Sequence, residues 1–560
     1  MDFRRLLLAL SLSFIFIFVW QTIFVPQPLA ESQNIDEVEK PEIDQPKPEI
    51  DLNSEVVSKS DLPLVDLNDK LNITTDLLSL GFVNGGSSLS NIKIIENDIS
   101  KQNDFKHVGS WDESLGAYTD EPVTLMNDQE CNPCLIENGK LVMFDFDYVY
   151  EYNNQTSTHT ITSISSSGLE KTTILNDTSY VIDHIFSSLN VTKKYDLIWG
   201  GGLEPSERSI QEDLTWLSVF AEKDKSYSEE TITEEGEVFA YSNVGWAGIK
   251  TKYFIKAITN QQHAANKTEK VYFESTRTSI GSDDNYFLYP DMSFDYGVGN
   301  ESLYVYSYIG PIDTKHLSDS KTDHLVQLFG FGWFIIGYLA KLILWLLTSL
   351  YVFIPNYGII CILFAFIIRL FTGPLTKQSF LSNQKMQQVQ PKMKKIQAKY
   401  KDDQAKLSQA TMELYKKEGV NPLGGCLPIL VQMPLLIALF QVFRKTIEFR
   451  GAEFLPFWIT DLSQPDIILQ LPFMANIPGL GYFFGNGLAL LPIIMGVIMF
   501  LSMQMTATAS PDPSAKFAMY FMNGFFILLF NTFPSGLNLY YTVYNILNFL
   551  QQRQLKKLQS

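Results

Sequence analysis

Five apolar segments, at residues 357–374, 427–443, 488–505, 517–532 and 537–552, each approach the length of one bilayer crossing. A hydrocarbon core roughly 30 Å thick needs about 20 mostly apolar helical residues. Without water to satisfy backbone groups, only helices or closed barrels can cross it, so segments of this kind call for a helical bundle. A further apolar block at residues 6–25 follows Arg4 and Arg5. Its length exceeds the roughly 7–15 apolar residues of a cleaved signal peptide, so residues 1–25 read as a retained transmembrane anchor. The alternative, cleavage after Ala30, would place Pro28 where a small residue is wanted.

Charge sets the orientation. Residues 330–560 with residues 1–25 carry 21 Lys and Arg against 10 Asp and Glu, whereas residues 26–329 carry 22 against 51. Short cytoplasmic loops are enriched in Lys and Arg, while long translocated domains tolerate any charge. The acidic block therefore reads as outside and the basic segments as inside, giving six spans with both termini cytoplasmic.

Between the anchor and the bundle the pattern changes twice. Residues 26–65 are acidic and proline-rich with few large apolar residues, the composition of a linker. Residues 66–312 hold short runs rich in β-branched and aromatic residues. In "MFDFDYVYEY", Phe144, Phe146, Tyr148, Tyr150 and Tyr152 alternate at the period of a half-buried strand. This predicts an all-β domain of sandwich type. Within it, Cys131 and Cys134 of "CNPC" can close a local disulfide in an oxidising compartment. Cys361 and Cys426 adjoin apolar segments and read as small buried hydrophobes. Residues 313–356 lead into the bundle; the apolar stretch 332–355 has Lys341 at its middle and Trp333 and Trp345 as interfacial aromatics, so it reads as a helix lying on the membrane surface.

A basic segment separates the first two of the five spans. From Lys377 to Glu418 there are ten lysines and four acids. Met386, Val389, Met393, Ile396 and Tyr400 follow a coiled-coil seam, Leu407, Thr411 and Leu414 a returning face, and Gly419 with Pro422 a stop. This predicts an antiparallel cytoplasmic hairpin over 376–419, its first helix beginning near Pro391.

The chemistry within the spans is sparse. Arg369, inside "CILFAFIIRLFTGPL", is the ionisable residue at depth, with no acid at comparable depth. A guanidinium at mid-bilayer costs roughly 2.5–3.5 kcal/mol, so it needs a wet or polar place to point. Asn538, Tyr541, Thr542 and Asn545 share one helical face, Gln432 lies a turn inside its span, and Asn523 and Asn531 lie in the penultimate one. Such amides either glue helices together or, converging with Arg369, line a hydrated, positively charged recess. No phosphate-binding glycine loop occurs, and the six histidines all fall between residues 107 and 324, so nucleotide, metal or triad chemistry in the membrane is excluded and no cofactor is implied.

These residues resemble a known family, the YidC membrane-protein insertases of bacteria, whose relatives serve mitochondria and chloroplasts. The resemblance runs through most of residues 357–553, on "RLFTGPLTKQS", "VNPLGGCLPILVQMPLLIALF" and "FPSGLNLYYTVYN"; "VGWAGIKTKYF" and "YIGPID" are similar to the end of the periplasmic domain in Gram-negative members. It implies an α-helical polytopic membrane protein: a five-helix insertase core plus the N-terminal anchor helix, an all-β periplasmic sandwich domain, a cytoplasmic helical hairpin and a short tail at 554–560. It also implies a non-enzymatic insertase and chaperone of the bacterial inner membrane. Arg369 would be the groove arginine, with Gln432, Tyr540 and Tyr541 along the substrate path. Partners would be newly made membrane proteins, the lipid bilayer, the Sec translocon and, weakly given the short basic tail, the ribosome. The rival reading of the same arginine is a small-anion transporter or channel.

Overall fold

The computed structural model describes residues 71–557, except 84–86, 96–110, 113–116, 119–121, 127–131, 208–209, 224–225, 261–267, 281, 300, 314, 318–321, 329, 332–333, 401–402, 421–426, 472–486 and 508–512. The expected anchor and linker, with Cys131 and Cys426, lie outside the described residues. The chain divides into two compact units, one within Ile15–Phe329 and the other over Gly330–Ser560.

The first unit is built from antiparallel sheets. Leu71–Thr74, Leu78–Val83, Ser88–Ile94 and Val123–Met126 form a four-stranded sheet in that order. A 14-stranded sheet runs from Lys140–Leu141 at one edge to Phe144–Asn153 at the other. The expected strand is present at the sheet edge, but its burial does not alternate throughout. Phe144 is buried, whereas Tyr150, opposite Ile161, and Tyr152, opposite His159, are exposed because among the described residues no further strand covers that edge. On the neighbouring strands Ile161, Ser163, Lys171, Thr173, His184 and Phe186 are buried, so the inward face carries several polar groups. Lys171 ties the two sheets together, its Nζ donating to the carbonyls of Ser87 and, at 2.9 Å, Pro133. Cys134, next to that proline, is disulfide-bonded.

The second unit is helical. Helix α1 spans Phe334–Tyr351, α2 Tyr357–Lys399, α3 Gln404–Glu418, α4 Leu427–Lys445, α5 Leu490–Ala507, α6 Pro513–Phe530 and α7 Ser535–Lys557. On α1, Ala340, Ile343 and Leu347 are buried while Ile335, Tyr338, Leu342 and Trp345 are exposed, so apolar groups cover both faces. Helix α2 starts where the Asn356 side chain accepts from the Ile359 amide at 3.0 Å. It then continues through Pro374 and Pro391 without a break. The hairpin's first arm is thus the continuation of the first apolar helix rather than a new helix at Pro391. Each proline removes one backbone donor, a local loss that packing along the rest of the helix outweighs.

The hairpin closes as its seam anticipates. Val389, Leu414 and Val420 form its core, with Met386, Met393 and Ile396 packed against them. Asp403 caps α3, and Gly419 ends it in the left-handed conformation at φ 61°. A side chain there would be strained, which is why glycine serves as the stop.

Helices occupy all five segments read as spans, yet among the described residues only Tyr357–Met386 is long and apolar enough to cross a membrane on length and composition alone. Ile335–Tyr351, Leu490–Gln504 and Tyr520–Phe530 are apolar but shorter. Basic residues close α4, and tyrosines, asparagines and glutamines dilute α7. Residues 446–471, which follow α4, are well folded. Arg450 is fully buried among them, and Ser535 and Gly536 at the start of α7 donate to the carbonyls of Gln464 and Leu462 at 2.8 and 3.0 Å.

Candidate functional site

Helices α2 and α7 pack along one another, and Arg369 sits on their seam. Its neighbours Leu370 and Phe371 are 77% and 75% exposed, whereas Arg369 is half-buried and turned onto α7. Nη1 donates to Thr376 Oγ1 at 3.2 Å, and Nη2 donates to Asn548 Oδ1 at 3.2 Å and also to Gln551 Oε1. The guanidinium carbon lies 5.5 Å from the Tyr544 ring centre. Thr372 Oγ1 lies 3.1 Å from the Tyr544 hydroxyl and donates to Ile368 O.

Every one of these acceptors is electrically neutral, and among the described residues no carboxylate pairs with Arg369. The positive charge is therefore solvated by amides and hydroxyls but not cancelled. Such a charge, in surroundings less polar than water, attracts anions strongly at short range.

The other residues singled out in the sequence divide into two groups. Tyr540 and Tyr541 are buried and form an aromatic cluster: Tyr540 lies 5.5 Å from Phe364 and 6.0 Å from Tyr544, and Tyr541 5.5 Å from Phe530. Half-buried Gln432 on α4 reaches toward the Tyr541 hydroxyl. These three border the arginine's end of α7 through Tyr544.

The asparagines do different work. Asn538 donates to the carbonyls of Phe530 and Phe533 at 3.0 and 3.2 Å, closing the turn between α6 and α7. Asn531 accepts from the Ala489 amide at 2.9 Å and donates to Gly487 O at 2.8 Å, fixing the chain that enters α5. Asn523 donates to Gly496 O across α5 and α6, and Asn545 to Tyr541 O in its own helix. The structure therefore does not bring Asn523, Asn531, Asn538 or Asn545 to the guanidinium. Asn523, Asn531 and Asn538 bond backbone groups of other segments, the helix-gluing alternative, whereas Asn545 bonds within its own helix.

Thr376, Tyr544, Asn548 and Gln551 meet Arg369 in their place, and the sequence signal for them was a second helical face. Tyr544, Asn548 and Gln551 are spaced i, i+4 and i+7 on α7, beside the face of Asn538 and Asn545, while Thr376 is two turns beyond Arg369.

In the β unit, a cavity of about 430 Å³ is lined by Asn176, Tyr180, Asp183, Lys315 and His316 among others. Two other residues of that unit show how burial and charge compete. Burial pushes the Lys171 ammonium down to about 7. Burial also opposes charge on Lys252, but the Glu212 carboxylate 2.6 Å away reverses the effect and holds it above the usual lysine value.

An antiparallel β unit and a separate unit of apolar helices, whose arginine is solvated by neutral side chains, define the class only coarsely: a two-unit protein with one helix able to cross a membrane among the described residues. Comparison with known proteins agrees. The profile described as 60Kd inner membrane protein matches residues 349–560, and that of the YidC periplasmic domain matches residues 187–346. The chain belongs to the YidC family.

Relatives named membrane protein insertase YidC include one from Chlorobium limicola, 36% identical over 388 residues, covering 67% of this chain and 64% of the relative. One from Prosthecochloris aestuarii is 35% identical, covering 66% and 62%, and one from Chlorobaculum parvum 33% identical, covering 69% and 66%. The chain thus spans less than two thirds of the length of these relatives. A solved structure titled as an active YidC insertase with its first transmembrane domain resolved aligns over 87% of this chain at 16% identity, with a TM-score of 0.35, too loose a superposition to bear on the assignment.

Proposed function

We propose that this protein is a membrane-protein insertase: it moves transmembrane segments of newly made proteins into the inner membrane, alone or beside the Sec translocon, without a chemical reaction. Five helices of the second unit would form its core in the bilayer, the hairpin and both termini would lie in the cytoplasm, and the β domain would lie in the periplasm. The observation that carries this reading is the neutral solvation of Arg369. A client's hydrophilic flank entering beside α7 would meet a full positive charge and several hydrogen-bonding side chains, which reduces the desolvation it suffers. The client's apolar helix then gains net free energy by passing into lipid.

The relatives' name supports this reading. So does the placement of Arg369 about 18 Å along α2 from its start, within the thickness of a hydrocarbon core. Tyr540, Tyr541 and Gln432 would flank the path. The hairpin's lysines offer a contact for ribosomal phosphates, and its tip a first contact for clients.

Depletion followed by rescue tests the proposal, using single-span clients with acidic or neutral translocated tails. Arg369→Ala should lower insertion of acidic tails by about tenfold, the worth of one charge-assisted contact, and of neutral tails less. Equal rescue by Arg369→Ala and the unmodified protein for both tails would sink it. So would robust small-anion flux in proteoliposomes without client insertion, which is the transporter's signature.

A further inference from the structure

Resting on the insertase reading, we infer that Gln551 and Asn548 are specificity-determining placeholders: their amide oxygens occupy the guanidinium of Arg369 where a client's carboxylate binds, and their neutrality lets that carboxylate displace them.

Three contacts define the arrangement. Gln551 Oε1 and Asn548 Oδ1 both accept from Nη2 of Arg369. The Gln551 Nε2 donates in turn to Gly373 O at 3.3 Å, so the amide bridges α7 to the backbone of α2. A Cβ at Gly373 would lie 3.8 Å from the same Nε2, an ordinary contact, so the bridge uses the backbone carbonyl and does not depend on the glycine. Gln552 Nε2 donates to Asn548 Oδ1 at 3.4 Å, so that oxygen has a second donor to keep when the guanidinium leaves.

The chemistry then sorts clients. A carboxylate adds to the hydrogen bond a Coulombic attraction and a two-oxygen match to the guanidinium fork, neither of which a neutral amide oxygen supplies. A carboxylate on an entering tail therefore wins the guanidinium from the amides, whereas a neutral tail gains nothing from the exchange. Were the resting partner itself a carboxylate, the pair would be locked and its charge cancelled. Two amides give a resting site that is satisfied and still exchangeable. Thr376 is not a placeholder in this sense, because its hydroxyl also donates to Thr372 O on its own helix and stays with the arginine.

The test measures a ratio: insertion of an acidic-tailed client over that of a neutral-tailed client, in proteoliposomes holding the full chain. Gln551→Glu should lower the ratio by about tenfold, because an internal carboxylate now competes at the guanidinium. Gln551→Leu should raise it. Loss of folded protein affects both clients alike and cancels. If Gln551→Glu does not accumulate in the membrane, Asn548→Asp brings a carboxylate to the same nitrogen with the same expected fall. Ratios within twofold of the unmodified protein for these variants overturn the inference while leaving the insertase reading intact. An unmodified protein that inserts neither client overturns the insertase reading itself.

Discussion

Two cations, fully buried Lys256 in the β unit and half-buried Arg369 in the helical unit, lean on different kinds of hydrogen-bond acceptor. Lys256 is fully buried and donates to the backbone carbonyls of Gly200 at 2.7 Å and Gly202 at 3.2 Å, with the Trp199 ring 4.9 Å away. Arg369 is half-buried and relies on the side chains of Thr376, Asn548 and Gln551. Backbone acceptors cannot leave without unfolding the loop that carries them. Side-chain amides can rotate away. A cation held by backbone is a structural pin, and one held by neutral side chains on a neighbouring helix is available for exchange.

The contrast predicts the largest effect at Lys256. Lys256→Ala removes the donor from one buried and one part-buried carbonyl and leaves a void, so the β unit should lose about 3 kcal/mol, read as an earlier midpoint in pulse proteolysis. A loss under about 1 kcal/mol would mean the pin is dispensable. Asn531→Ala comes next: it strips partners from Ala489 and Gly487, costs about 2 kcal/mol of helical-unit stability by the price of unpaired buried groups, and should depress insertion of acidic and neutral tails in parallel. A selective loss of acidic tails would move Asn531 back into the groove.

Arg369→Lys sharpens the other side. It keeps the charge but lacks the fork that reaches Thr376 and α7 together, so acidic-tail insertion should fall by less than about tenfold, between the unmodified protein and Arg369→Ala. Parity with Arg369→Ala would show that fork geometry matters more than charge.

Lys171 gives a graded test in pH. Its folded value near 7 lies below the ordinary 10.5, so between those values the unfolded chain binds more protons than the folded one. Stability of the β unit should therefore rise as pH increases from about 7 toward 10, by at most about 1.4 kcal/mol per unit. Below about pH 7 the penalty for burying the ammonium is fully present. Lys171→Met should flatten that slope in hydrogen-exchange protection of residues 71–94, whereas an unchanged slope would place the titration elsewhere.

The smallest effect belongs to the hairpin. Lys392 and Glu418 pair at 2.7 Å with the lysine 57% exposed, so Lys392→Ala should leave the thermal melting of the helical unit almost unmoved.

Much of this arrangement was legible from local pattern. Period-two aromatics placed the strand Phe144–Asn153, and the seam through Val389 and Met393 placed the hairpin. The end of α3 at Gly419 followed from the one residue that adopts its backbone angle without strain. Arg369 stood out because a charge in an apolar run has few explanations. The asparagines were harder to assign. An amide on an apolar helix looks the same in sequence whether it caps a neighbouring turn, as Asn538 does, or solvates an arginine, as Asn548 does.

The sequence by itself determined which segments are helix or strand, where the lone charge lies and which polar side chains share a face, because those follow from backbone geometry within a few residues. Only the tertiary structure decided which amides meet the guanidinium. That depends on how α7 is set against α2, a relation between residues some 180 positions apart that no local periodicity encodes.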